Sequence, residues 1–319
     1  MNRQWKIFLL GFSLLALIAC QNNREGKGKV EEADTMALKQ ATEDSVTVAD
    51  IQKVTAHFPS PVDFVSYINH ANLEYQNAWL NPVNRVNEYL GRPEKAALNL
   101  GVYLSDLGYQ SIYMKSEAAM QYFKTAKQLS DQLNILNQAT NTYLKRFEAN
   151  LSNRDSLLTI TREAYYSIDE YLRENEKTDL AALIVTGAWI EGLHGGGYIL
   201  TALPAYFEDK KYRPLIYRIG AQKSSLENII TMLEKIDDVE EVKALVAELK
   251  KLLALYAKVE VVEASSQEEA IVDIAEVQNI EELTQEVVIN SVKEVKIDKA
   301  TFDAIYKQIS KIRQMIVKP

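Results

Sequence analysis

A single cysteine, Cys20, is all the thiol this 319-residue chain carries. One cysteine closes no disulfide within the chain, so any fold here is held without covalent staples. Long apolar runs are also missing from the start of the chain. The first, Ile7 to Ala19, covers thirteen residues, short of the ~20 that cross a bilayer and inside the roughly 7–15 of a secretory leader. Positive charge is in deficit as well. The formal net charge is -8, which argues against a cationic face for nucleic acid, and no nucleic-acid partner is expected.

What is present first is a leader. Arg3 and Lys6 precede the apolar run and Leu17-Ile18-Ala19-Cys20 ends it, the order of charge, apolar core and lipobox-like cleavage site that marks a bacterial lipoprotein. Residues 1–19 are expected to be removed as a signal peptide. Cys20 is expected to take diacylglycerol on its thiol and a further acyl chain, of the palmitate kind, on its freed amine. More than one buried chain makes such anchoring stable. The expected membrane partner is therefore reached through lipid at Cys20. Gln21-Asn22-Asn23-Arg24 show neither an aspartate retention signal nor an early acidic tag, so the expected location is the outer membrane, facing the periplasm.

Hydrophobic residues make up 47% of the chain and charged residues 25%, enough apolar material for a folded core in an ordinary soluble domain. Residues 20–57 are polar with little periodicity and read as a tether, with a reach of roughly 30–35 Å if flexible. The helical domain is expected over 58–258. Ser60-Pro61 opens its first helix and Asn81-Pro82 a short second one that stops at Gly91. Pro93 restarts the chain into a helix to about Tyr113, and others follow over Ser116–Leu133, Ala139–Ala149 and Arg154–Glu174. Further helices are expected over Asp179–Leu203, Tyr212–Ile236 and Val239–Tyr256. Short connections point to an all-α fold, a multi-helix antiparallel bundle or array.

Residues 259–297 form an acidic insertion, with ten Asp and Glu against Lys293 and Lys296. Its β-branched ends leave room for a short β-hairpin, an irregular segment or a weak helix. Asp298 then caps a C-terminal helix over 298–319, whose Phe302, Ile305, Ile309, Ile312 and Ile316 pack on the helical domain.

Three motifs invite a functional reading. His194-Gly195-Gly196-Gly197 copies an esterase oxyanion-hole string, but the required G-x-S-x-G elbow is missing. Glu191 and His194 form one E-x-x-H pair, whereas di-iron bundles use two. Val54 and Tyr67, three residues before His57 and His70, supply no second acid. Residues 118–133 resemble one tetratricopeptide helix without a repeat at 34 residues. No catalytic set, metal site or cofactor is expected.

The remaining signal is a polar stripe. Asn99, Tyr103 and Asp106 fall at i, i+4 and i+7 of the apolar helix that starts at Pro93. Gly101 and Gly108 on that helix, with Gly187 and Gly192 on the later one, make the two candidates to cross in the core, since a helical glycine costs about 1 kcal/mol that close contact must offset. Asn99, Tyr103, Asp106, Trp189 and Glu191 are the candidate residues, either a buried polar network or the lining of a ligand pocket between those helices.

The strings FPSPVDFVSYI, LNPVNRVNEY, KAALNLGVYLSDLGY and LIVTGAWIEGL resemble an uncharacterised group of helical lipoproteins of Bacteroidetes bacteria. That resemblance implies anchor, location and helical fold, and it implies no activity. The expected function is a binding or scaffolding module for a protein or other envelope component. A ligand-sensing lipoprotein is the alternative, and an envelope enzyme ranks last.

Overall fold

The computed structural model describes residues 45–55, 71–135, 137–174, 177–236, 238–262 and 294–319. The fold is all-α, and the described residues form an array of ten helices with one two-stranded hairpin. In chain order the helices are α1 (Val48–Thr55), α2 (Pro93–Ile112), α3 (Ser116–Gln132), α4 (Asn137–Ala149) and α5 (Arg154–Glu174). They continue with α6 (Thr178–Thr201), α7 (Arg213–Gly220), α8 (Lys223–Leu233), α9 (Glu240–Tyr256) and α10 (Lys299–Val317). Short 3₁₀ turns occupy Val83–Glu88 and Lys210–Tyr212.

Local chemistry sets the boundaries. Pro93 sits in the first turn of α2, where its missing N–H costs nothing. Gly91 takes φ +81° just before it, a left-handed conformation that glycine reaches without strain. Asp298 caps α10, its Oδ1 accepting from the Thr301 amide at 2.7 Å and its Oδ2 from the Thr301 hydroxyl at 3.0 Å.

The core is built around α2 and α6. From Ala181 to Leu200 every residue of α6 but Gly192 and Tyr198 is buried, as expected of a helix that is apolar all round. The two helices meet through glycine. A Cβ on Gly101 would lie 2.0 Å from the Ile184 carbonyl oxygen, and one on Gly187 would lie 2.0 Å from that of Leu98. Gly108, by contrast, has nothing within 4 Å of its missing Cβ, so it plays no part in that crossing. Helix α10 lies antiparallel on α6, with residues 313 and 310 opposite 191 and 194.

Strands β1 (Glu260–Val262) and β2 (Glu294–Lys296) pair antiparallel, Glu260 opposite Lys296. Val295 is buried and meets Gly220 at the end of α7. The ends of the acidic insertion thus pack on the core as a hairpin, and residues 263–293 lie outside the described residues.

Two expectations need correction. The tether ends earlier than position 57, because α1 is folded, with Val46, Ile51 and Val54 buried and Lys235 of the α8 side bonded to Asp50 at 2.7 Å. Those apolar positions are too sparse to stand out in a polar stretch. The single helix expected over Tyr212–Ile236 is broken at Ala221-Gln222 into α7 and α8. There Gln222 bonds back to the Arg218 carbonyl at 3.0 Å and accepts from the Trp189 indole. Phe58, Ser60-Pro61, His57 and His70 lie outside the described residues, as do Cys20 and the leader.

Candidate functional site

The polar stripe of α2 is buried and holds two distant pieces of chain together. Asn99 Nδ2 donates to the Ile316 carbonyl at 2.9 Å and to Lys95 O at 2.9 Å, while its Oδ1 accepts from Asn81 Nδ2 at 3.3 Å. Tyr103 Oη donates to the Pro82 carbonyl at 2.9 Å. Asp106 Oδ2 accepts from the Asn81 amide at 3.1 Å. The stripe thereby pins the Asn81-Pro82 turn and the end of α10 to α2.

The last carbonyls of a helix have no intrahelical donor, and at α10 three buried side chains supply them. Lys95 Nζ donates to Met315 O at 2.7 Å, Asn99 to Ile316 O, and Tyr89 Oη to Val317 O at 2.9 Å. Burial lowers the Lys95 pKa.

Glu191 faces the same seam from α6. Arg313 of α10 grips it with two bonds, Nε to Oε2 at 2.9 Å and Nη2 to Oε1 at 3.0 Å, and Nη2 also donates to Trp79 O at 2.9 Å. This forked geometry is the strong form of a charge-assisted pair. Burial works against the Arg313 charge, yet Glu191 and Asp106 raise its pKa on balance. Burial pushes the Glu191 carboxyl up, and Arg313 opposes that rise. Burial pushes Asp106 well above the carboxylate range, and the charge of Glu191 adds to it. Asp106 Oδ1 receives no hydrogen bond from any donor among the described residues.

One turn further along α6, His194 is 7% exposed. Its Nδ1 lies 3.3 Å from Ser310 Oγ, and its ring stacks on Tyr306 at 5.9 Å between centroids. Burial, with Arg313 nearby, holds its pKa down to about 3, so the imidazole is neutral. The three glycines after it lie inside α6, not in a loop. A Cβ on Gly195 would strike the Trp79 ring at 2.4 Å and one on Gly197 the Tyr306 ring at 2.3 Å. The string makes room for two aromatic rings rather than cradling an anion.

Trp189 stands apart from this cluster. Its indole N–H donates to Gln222 Oε1 at 2.9 Å, a partner at the α7–α8 break. Asn99, Tyr103, Asp106 and Glu191 are brought together, and Trp189 serves a different seam. Arg313, Asn81, Tyr89 and Lys95 join the cluster without having been singled out. The signal for Arg313 existed, since Tyr306, Ser310 and Arg313 repeat the i, i+4, i+7 spacing of Asn99, Tyr103 and Asp106.

Chemically the cluster is two carboxyls, one guanidinium, several amide and phenol groups and, at its far end beside Met315 O, the Lys95 amine, all in the interior. Its neighbouring hydroxyl–imidazole contact, Ser310 Oγ with His194 Nδ1 at 3.3 Å, lies one turn away along α6. Among the described residues no group of three or more His, Cys, Asp and Glu is placed to hold a metal ion, and no helix is long and apolar enough to cross a membrane. Comparison with protein-family models, with curated proteins and with solved structures found no match.

Proposed function

We propose that this protein is a lipid-anchored envelope lipoprotein whose helical domain acts as a binding or scaffolding module through its outer surface. The observation that carries this reading is the commitment of its buried chemistry. Asn99, Tyr103 and Asp106 bond to backbone groups or to Asn81, and Glu191 bonds to Arg313. Side chains spent on holding helices are not available to a ligand, so recognition falls to the exterior. The ligand-sensing alternative needs a cavity between α2 and α6, where the backbones already touch at Gly101 and Gly187.

Location rests on Leu17-Ile18-Ala19-Cys20 behind its charged, apolar leader, and the similarity to helical lipoproteins of Bacteroidetes agrees with it. The outer membrane, with the domain in the periplasm, is the site we assign. Metabolic labelling with an alkyne fatty acid tests the anchor: label on the wild type and none on Cys20→Ala is expected, and equal label on both overturns it. Photocrosslinking in intact envelopes from the exposed Leu90 and Met114 tests the module. A defined adduct is expected from at least one of these positions. A stoichiometric small molecule released on denaturing the purified protein would replace this reading with the ligand-sensing one.

A further inference from the structure

Two carboxyls and one guanidinium meet in the interior of this fold, and their charges do not balance. Asp106 of α2 and Glu191 of α6 are both 0% exposed, and they share one seam: Arg313, which grips Glu191, also holds the Trp79 carbonyl two residues before Asn81, whose amide binds Asp106. One guanidinium offsets one buried carboxylate, and a second carboxylate with a single donor and one oxygen left without any is costly to bury ionised. One of them has to carry a proton. Arg313 selects which, because its two bonds go to Glu191 and a guanidinium favours the ionised partner. Asp106 has only the Asn81 amide as donor.

We propose that Asp106 is a resident proton site: its carboxyl is held in the acid form, and the seating of α10 against α2 and α6 is coupled to binding that proton. Among the described residues no other cation is placed against the pair. Lys95, also on α2, is spent on Met315 O and stands about 16 Å along the helix from Asp106 at 1.5 Å per residue. The remaining titratable neighbours are uncharged in the neutral range. From α2 and α3 these are Tyr103 and Tyr122, which burial pushes up. From α6 it is His194, and from the first 3₁₀ turn and its end the phenol of Tyr89, with Arg85 acting on that phenol from further out. Arg154 of α5 bears on Tyr113 instead. With the proton in place Asp106, Glu191 and Arg313 sum to zero charge; without it this part of the interior holds one negative charge with no cation beside it, which is expensive in a dry site.

Lifting α10 away removes Arg313 and admits water to both carboxyls, which then ionise at neutral pH and release one proton to solvent. Docking of the helix and proton uptake are one equilibrium.

Infrared spectroscopy of the native protein in heavy water at neutral pD reads the acid form directly. A protonated carboxyl C=O band is expected in the wild type and not in Asp106→Asn, which keeps the shape. Glu191→Gln, which leaves Arg313 to Asp106, is expected to lose the band too, and it decides the matter if Asp106→Asn does not fold. Urea unfolding supplies the coupling: between pH 5 and 8 the ratio of unfolding constants, wild type over Asp106→Asn, should rise up to about tenfold per pH unit until native Asp106 ionises. A wild-type spectrum without the band, a band that survives in Asp106→Asn, or pH profiles that run parallel would overturn the proposal.

Discussion

Replacing Gly101 by alanine adds one methyl group at the point where the two central helices touch. In an exposed helix this change is favourable by about 1 kcal/mol, because alanine restricts the unfolded chain. Here the new Cβ would lie 2.0 Å from the Ile184 oxygen and 2.7 Å from the Ala188 nitrogen, where ordinary contact begins at 3.4 Å. The obstacles are backbone atoms of a buried helix and have no rotamer to escape into. α2 and α6 must separate by an amount on the order of 1 Å, and a gap of that size forfeits a quarter to a half of the dispersion energy of each pair along the seam. Overpacking costs typically 1–3 kcal/mol where side chains give way, and with backbone in the way the upper end applies. Gly101→Ala should therefore be destabilised by about 3 kcal/mol, the propensity gain notwithstanding. Gly187→Ala, whose Cβ would lie 2.0 Å from Leu98 O, should behave alike. Gly108→Ala is the control on the same helix: nothing lies within 4 Å, so it should gain about 0.5–1 kcal/mol. Equilibrium urea unfolding followed by far-UV circular dichroism separates the three. Gly101→Ala as stable as Gly108→Ala would refute the close crossing and, with it, the reasoning against a cavity between these helices.

Other outcomes follow from the ionic groups. Arg313→Met leaves the Glu191 charge buried without its partner and should cost about 3–5 kcal/mol, whereas adding Glu191→Gln to it should recover part of the loss in the same urea assay. His194 has a folded pKa of about 3, below its unfolded value, so the folded state binds fewer protons and stability falls as pH drops below about 6.5. At pH 4.5 the wild type should have lost roughly 2–3 kcal/mol relative to His194→Gln, measured from the difference between their stabilities at pH 7 and 4.5; equal losses would place the imidazole in water. Glu248 of α9 is held down to about 2 by Lys251, then by Lys311 and Gln308. Its contribution is present above pH 4.5 and lost on acidification toward pH 2. Because both lysines are exposed, Glu248→Gln should remove no more than about 1 kcal/mol at pH 7, and thermal melts at pH 7 and 3 should converge.

How much of this was readable in the residues depends on whether a position carries its reason locally. Pro93 and Asp298 announce helix starts because a first-turn proline and a capping carboxylate act within a few residues. Gly101 and Gly187 announce a close crossing because an interior helical glycine is a cost that only packing offsets. The break at Ala221-Gln222 has no such marker, and its cause is a bond to Trp189, a residue more than thirty positions earlier in the chain. The same distance explains the misplacement of Trp189. It lies two residues from Glu191, about 200° around the helix, and on a helix that is buried on all sides nothing in the pattern says which neighbour each face meets.

The cluster itself has a signature in the sequence that reaches beyond α2 and α6. A buried acid needs a partner, and Asp106 and Glu191 together make that need hard to meet with phenols and amides alone. The C-terminal helix offered an arginine between Ile312 and Ile316, two positions of its buried face, in line with Ser310 and Tyr306 at the spacing that marks the α2 stripe. Matching stripes by chemistry rather than by nearness in sequence pairs Glu191 with Arg313, 122 residues away. It also leaves Asp106 over, and that leftover carboxyl, visible as a charge imbalance before any distance is known, is where the proton has to sit.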